Sequence, residues 1–351
     1  MSALIPQFPM RSGLFSRLRR KITKGFHWLL RQSVGRLKPQ RLLSKIVRLQ
    51  PESAGIRDFR VLFPPRVIAI DAAEHAALLA RTRYFERAPI TFKTPFVCRV
   101  DGAKLHLGEG VLVTPRDEIV LDSALARYRL VTSTVWGALA PRNPPELQGH
   151  FSSIWGLFAS NTFHWLVDCL PRLHSLELAS EGPITLLMPA SATKYQRESL
   201  ELCLPDGWEV RYLKPSWWRV SEFVFPSYVT LPQYAALPPE YSEAMRQRVW
   251  NRLGLDAQSG GRRRIYISRR NAKERRVLNE SEVEKCLGNW GFESVRLEEM
   301  TFQQQVELFY EAEIVVGAHG AGLANVLFSP RVKVIELQTT NVLLHYFFLS
   351  Q

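Results

Sequence analysis

Three groups of residues have types and spacings that fit chemistry. The first is His164 with Asp168, in the stretch S-N-T-F-H-W-L-V-D-C-L-P-R-L-H-S-L-E-L over residues 160–178. Four residues apart on a helix, the two side chains share a face and can touch. A carboxylate so placed orients an imidazole and stabilises its protonated form, which suits a general base acting on a hydroxyl. A His–Asp pair at this spacing also serves simply as a helix-edge contact, so the pair alone leaves both readings open. Asn161 stands where it can cap the helix, and Arg172 follows Pro171, which should kink or end it.

The second group is the stretch from Glu313 to Phe328, E-I-V-V-G-A-H-G-A-G-L-A-N-V-L-F. Ile314, Val315 and Val316 form a short β-branched run, Gly317, His319, Gly320 and Gly322 a loop, and Leu323, Val326 and Leu327 return at helical spacing. The pattern predicts a buried parallel strand, a tight glycine turn and the start of a helix. The glycines are expected to supply positive φ and close approach to a ligand. Free N–H groups of the first helical turn and its positive dipole end then make an anion site, suited to phosphate, with His319 inside the loop where it can donate to a phosphate oxygen. The same turn also occurs merely to close a βα unit. A dinucleotide fingerprint fits poorly, because Asn325 stands where the third glycine belongs, which disfavours a nicotinamide or flavin oxidoreductase. A Walker loop is excluded, since no Gly-Lys-Ser/Thr follows.

The third group is R-R-R-I-Y-I-S-R-R-N-A-K-E-R-R-V-L-N-E-S-E-V, residues 262–283. Ile265–Ile267 reads as a strand that delivers Arg269 and Arg270 to its carboxyl end, where open α/β sheets bind ligands. Guanidinium forks suit a diphosphate, although a charge run is often only a solvated loop. Asn279 caps the next helix, and Glu280 sits favourably in its first turn.

The elements that must position these groups alternate. Strands are expected at Ile184–Pro189, Trp208–Leu213 and Phe223–Pro226, with helices at Lys194–Leu202 and Tyr234–Leu253, the signature of a doubly wound α/β unit. Residues 262–351 read as βαβαβ, with a helix at Thr301–Ala312 and a last strand at Val332–Leu337. Before them, residues 95–125 read as a small β-rich segment, with Phe96–Val100 turning at Asp101-Gly102 into Lys104–Leu107. A helix is expected around His75–Leu79, and residues 51–66 look like a linker.

The sequence carries a formal charge of +13, but residues 1–50 hold twelve Lys/Arg and no Asp or Glu, so the rest is nearly neutral. Leu14, Phe15, Leu18, Ile22, Phe26, Leu29 and Leu30 recur at helical spacing among these cations. That is a basic amphipathic arm of the kind that lies on an anionic membrane surface, here through residues 11–50. A solvated tail, or a helix packed on the body, is the alternative. The apolar runs are too short to span a bilayer, and nucleic-acid binding is disfavoured because no basic stripe continues into the body. Cys98, Cys169, Cys203 and Cys286 show no metal spacing and read as buried thiols of a reducing, cytoplasmic compartment.

Taken in order, N-T-F-H-W-L-V-D-C-L-P-R-L (161–173), I-Y-I-S-R-R…L-N-E (265–280), I-V-V-G-A-H-G-A-G-L-A-N-V-L-F (314–328) and V-K-V-I-E-L (332–337) resemble glycosyltransferase family 61. The likeness covers roughly residues 95–340. It implies an α/β protein with two Rossmann-like lobes of the GT-B type. Residues 1–60 would be the arm and linker, 61–255 the acceptor-side lobe, and 262–351 the nucleotide-sugar lobe. It implies an inverting transfer from a nucleotide-sugar donor to a glycan or lipid-linked acceptor in capsular or exopolysaccharide biosynthesis, peripheral to the inner face of the membrane. His164 with Asp168 would be the catalytic pair. Arg269, His319, Gly320, Ala321, Gly322 and Asn325 would hold the donor, with Glu336 near its nucleoside end. Asn161, Arg172, Arg270, Asn279 and Glu280 are additional candidates. The sequence contains no D-x-D triad, so no metal or other cofactor is expected. Relatives continue past the V-I-E-L strand with more helical sequence, whereas this one reaches Gln351. The alternative expectation, a catalytically silent nucleotide-sugar-binding or scaffold protein, follows from that difference.

Overall fold

In the computed structural model, residues 40–42, 45–68, 91–123, 139–141, 143–231, 235–256, 261–338 and 342–350 are described. Most of the basic arm and the helix expected at His75–Leu79 lie outside these residues. The strands of the amino-terminal part are β1 (Gln40–Leu42), β2 (Lys45–Val47), β3 (Ile56–Val61), β4 (Phe96–His106), β5 (Val111–Val113), β6 (Glu118–Val120), β7 (Leu139–Pro141), β8 (Glu146–Ser152), β9 (Thr185–Pro189), β10 (Glu209–Leu213) and β11 (Trp217–Pro226). Apart from the small β1–β7 pair, they join one sheet in the order β10-β9-β8-β11-β4-β5-β6-β2, with β3 beside β4. β10, β9, β8 and β11 run parallel. From β11 to β4, β5 and β6 the sheet turns antiparallel. β3 occupies residues expected to be linker.

The expected hairpin at Asp101-Gly102 is absent. β4 runs straight through it, because Gly102 takes φ +61° while β11 keeps pairing on both sides, Val220 with Ala103 and Glu222 with Asp101. The reversal falls instead at residues 107–110. There Gly110 has φ +68°, and a Cβ on it would meet the Trp155 carbonyl at 2.4 Å, so only glycine fits.

The helix capped by Asn161 ends at Pro171, as expected, but it is not regular before that point. α1 (Thr162–His164) passes into a π turn, Trp165–Cys169, and α2 (Arg172–Ala179) follows. The Leu170 N–H reaches back to the Trp165 carbonyl at 2.9 Å, a span of five residues. Pro171 has no N–H to donate, so the regular ladder cannot continue past it. Such π turns often mark functional positions. Trp165 is fully buried, and its indole N–H bonds Ser199 at 2.8 Å on α3 (Lys194–Cys203). α4 (Pro239–Leu253) packs alongside.

The carboxyl-terminal part is a second, four-stranded sheet. It comprises β12 (Arg263–Ile267), β13 (Phe292–Val295), β14 (Ala312–Ala318) and β15 (Lys333–Leu337), all parallel, in the order β13-β12-β14-β15. α5 (Glu280–Gly288) and α6 (Phe302–Tyr310) connect them, and the short α7 (His345–Leu349) comes last. Thr301 and Gln304 form a capping box that starts α6. Because β12 is first in sequence yet has β13 on one side and β14 on the other, the connections diverge between β12 and β14. Their carboxyl ends are a topological switch point, the crevice where such sheets take ligands. One buried cluster runs from Leu186 and Leu200 of the first sheet layer to Ile265 and Val315 of the second. Among the described residues no helix is long and apolar enough to cross a membrane.

Candidate functional site

Arg269 leaves the end of β12 and is fastened before it reaches the crevice. Its backbone N–H donates to Glu280 Oε1 at 2.7 Å, and the buried Glu280 carboxylate also accepts from the Tyr266 hydroxyl at 3.1 Å. Glu280 thus joins β12 to α5 and fixes where Arg269 starts. The guanidinium is wrapped by its own loop, with Nε on the Arg275 carbonyl at 3.2 Å and Nη2 on the Glu274 carbonyl at 2.8 Å. To present that carbonyl Arg275 adopts φ +54°, a left-handed conformation that costs a non-glycine residue roughly 1–3 kcal/mol. Burial, and then the neighbouring Arg275 cation, push the Arg269 pKa down. A cation in that condition is stabilised by an incoming anion.

The glycine loop lies opposite. Positive φ was expected there, but Gly317, Gly320 and Gly322 are not among the left-handed glycines, and Gly320 is extended at φ −177°. Close approach is what they provide. A Cβ on Gly320 would lie 2.0 Å from Arg269 Nη1, and one on Gly322 would lie 2.8 Å from Leu297 Cδ1. The helix that follows is a 3₁₀ helix, Ala321–Phe328, tighter than the expected α-helix. The amides of Ala321 and Gly322 precede any intrahelical acceptor and are the ones available to a ligand. Asn325 is fully buried, and its amide nitrogen pins the loop through Gln305 Oε1 at 3.0 Å and the Gly322 carbonyl at 3.1 Å.

Between these parts opens a cleft of about 660 Å³, lined among others by Thr162, Tyr195, Arg269, Asn271, Glu298, Ala321, Gly322 and Asn325. Thr162 belongs to α1, so the first sheet layer supplies part of the wall. Two residues on, His164 Nδ1 sits 2.6 Å from Asp168 Oδ2. Asp168 is 3% exposed, and the buried Thr230 hydroxyl donates to its other oxygen. The carboxylate is therefore fixed on both oxygens. With Nδ1–H donated to Asp168, Nε2 of His164 carries the lone pair, the arrangement of a base.

His319 is held in the same way, with Nδ1 2.5 Å from Glu336 Oε1. Glu336 thus lies beneath the loop on β15. α7 closes over them. The His345 ring lies 5.8 Å from that of His319 and 5.2 Å from that of Phe163, centroid to centroid. Burial first, and then the His319 and His164 imidazoles, lower the His345 pKa to about 4.

Other sequence candidates stand apart. Arg172 is buried on main-chain carbonyls, Pro226 at 2.6 and 3.1 Å and Ile154 at 3.0 Å, and braces the strand ends behind the pair. Arg270 turns to Glu284 at 2.5 Å on the outer side of α5. Asn279 bonds Glu282 at 3.2 Å and makes no side-chain cap. Asn161 caps α1 through the Phe163 N–H at 2.9 Å, as its place in the sequence implied. Cys98, Cys169 and Cys203 are buried, but Cys286 is exposed, contrary to expectation. Thr230, Tyr195, His345 and Tyr346 carried no motif. Only the aromatic run around His345 hinted that the tail packs inward.

A parallel sheet with its switch point at a glycine loop and a fastened arginine has Rossmann-like geometry, of a kind suited to an anionic ligand. Residues 162–335 match the family described as Glycosyltransferase 61, and the chain carries a glycosyltransferase family 61 domain over them. Curated relatives are similar over shorter stretches. The EGF domain-specific O-linked N-acetylglucosamine transferase of Bos taurus is 31% identical over 94 residues, 25% of this chain and 18% of the relative. That of Gallus gallus is 29% identical over 99 residues, 26% of this chain and 18% of the relative. The chain therefore spans less than a fifth of the length of these relatives.

Proposed function

We propose that the protein is an inverting, metal-independent glycosyltransferase of the GT-B type, moving a sugar from a nucleotide-sugar donor to a glycan or lipid-linked glycan in cell-surface polysaccharide biosynthesis. The observation that carries the reading is the convergence of Arg269 with the Ala321 and Gly322 amides on a cleft whose wall includes Thr162, two residues before His164. The family match supports the reaction class.

The donor diphosphate binds between Arg269 Nη1 and the loop amides, with the sugar directed toward α1. His164 Nε2 takes the proton of the acceptor hydroxyl. The oxygen attacks the anomeric carbon from the face opposite the diphosphate, and the bond to the diphosphate oxygen breaks, inverting the centre. Arg269 stabilises the leaving charge, while the loop amides hold the diphosphate equally before and during transfer. A second reading follows from the relatives' names: the acceptor is a protein hydroxyl and the sugar N-acetylglucosamine. The basic arm docks the enzyme on an anionic membrane surface at the cytoplasmic face. Deleting residues 1–38, which ends before β1, should abolish binding to anionic liposomes, and undiminished binding would refute that docking.

The test of the function is thermal-shift screening against nucleotide sugars and nucleoside diphosphates without added metal, followed by a transfer assay on the positive donor. A ligand of the native state raises Tm by mass action. A shift with one nucleoside diphosphate and its sugars, with turnover, is the expected result. Binding without turnover would leave a silent binding protein, and no shift at all would refute the donor site.

A further inference from the structure

Gly320 is held from two directions. Arg269 Nη1 fills the space beside it, 2.0 Å from where a Cβ would stand, and the hydroxyl of Tyr346, on α7, donates to its carbonyl at 2.5 Å. The same carbonyl accepts from the Leu323 N–H at 3.1 Å, the first bond of the 3₁₀ helix. Tyr346 is 8% exposed. Its ring meets Phe163 edge-on at 5.5 Å and lies 5.5 Å from the ring of His319. Two parts of the site therefore fix the phenol. Burial pushes its pKa far up, so it remains a hydroxyl donor across the working range.

The Gly320 carbonyl and the Ala321 N–H belong to one planar peptide unit and point in opposite directions. Fixing the carbonyl therefore fixes the amide. With the Leu323 bond alone, the peptide plane could swing about that one contact. The added phenol bond leaves it one orientation.

We propose that Tyr346 is a positioning residue for the donor diphosphate, aiming the Ala321 N–H into the cleft through the Gly320 carbonyl. Tyr346, which lies beyond the family-matched residues 162–335, is thereby a working part of the site. The inference rests on the reading of the cleft as a diphosphate site. Because these contacts exist in ground and transition states alike, their loss raises KM more than it lowers kcat.

The test titrates the full-length protein calorimetrically with inorganic pyrophosphate and with uridine, guanosine and cytidine diphosphates. It compares the wild type, Tyr346→Phe and Phe348→Leu, and adds donor kinetics. Phe348 is 1% exposed in the same helix, so its truncation loosens the packing but keeps the phenol. Tyr346→Phe should weaken diphosphate binding and raise the donor KM about tenfold, with kcat within about twofold. Phe348→Leu should lower Tm with affinity unchanged. Unaltered affinity in Tyr346→Phe, or an equal loss in both variants, would overturn the proposal. A wild type that binds none of these diphosphates would instead overturn the underlying function.

Discussion

His319 follows directly on the end of β14, Glu336 lies on the neighbouring parallel strand β15, and their side chains meet with Nδ1 2.5 Å from Oε1. Gly317 and Glu336 are register partners on β14 and β15, so the contact follows from the sheet itself. With Nδ1 engaged, only Nε2 of His319 can reach a ligand. Replacing Glu336 by Gln keeps the shape and removes the charge that orients the ring. Losing a charge-assisted, buried hydrogen bond costs ~1–3 kcal/mol, so nucleoside-diphosphate affinity should fall about tenfold in a calorimetric titration. Unchanged affinity would show that His319 does not serve the ligand.

His164 and Asp168 should separate binding from chemistry. His164→Ala is expected to lower kcat by about 10²- to 10⁴-fold, the usual contribution of a general base, with donor affinity kept. Asp168→Asn should also lower kcat, because the amide cannot hold the ring in the same tautomer. Transfer kinetics together with donor titration measure both effects. Equal turnover in wild type and Asp168→Asn would remove the pair from the mechanism.

Gly320 and Arg269 should be coupled. Gly320→Ala drives a methyl group into Arg269 Nη1, which lies 2.0 Å from the Cβ position. The guanidinium, being the flexible partner, moves away. Gly320→Ala and Arg269→Ala should each weaken diphosphate binding about tenfold or more, and the double variant should add little, since contacting residues are not additive. Fully additive losses would mean that the two positions act independently.

Much of this was legible, and the limits are physical. The β-branched run before Gly317, the strand before Arg269 and the helical patterns of α3 and α6 are local, so their strands and helices fell where the sequence implied. The roles inside the loop did not. Gly320 and Gly322 are needed for what Arg269 and Leu297 place beside them, a tertiary fact, rather than for backbone torsion. Asp101-Gly102 has the composition of a turn, but β11 pairs on both sides and holds the strand open. The π turn at Trp165–Cys169 keeps a helical pattern of apolar residues, so periodicity alone cannot distinguish it. His345 and Tyr346 gain their meaning only when the chain end returns to the loop.

Acid should destabilise the fold through His345. Its pKa is about 4 in the folded protein, below the ordinary value of about 6.5 in an unfolded chain. The unfolded state therefore binds the proton first as pH falls. The stability is fully present above pH ~6.5 and is lost progressively down to pH ~4, amounting to about 2–3 kcal/mol for this one group. Urea denaturation at pH 7.5 and pH 4.5 should give a smaller acid loss for His345→Gln than for the wild type. An identical loss would mean that His345 is not held neutral.

The most direct test of the central claim is a crystal structure of the protein with the nucleoside diphosphate that raises its Tm. The account expects the diphosphate between Arg269 Nη1 and the amides of Ala321 and Gly322, with its free end directed toward His164. A diphosphate bound elsewhere, with Arg269 still facing an empty loop, would contradict it.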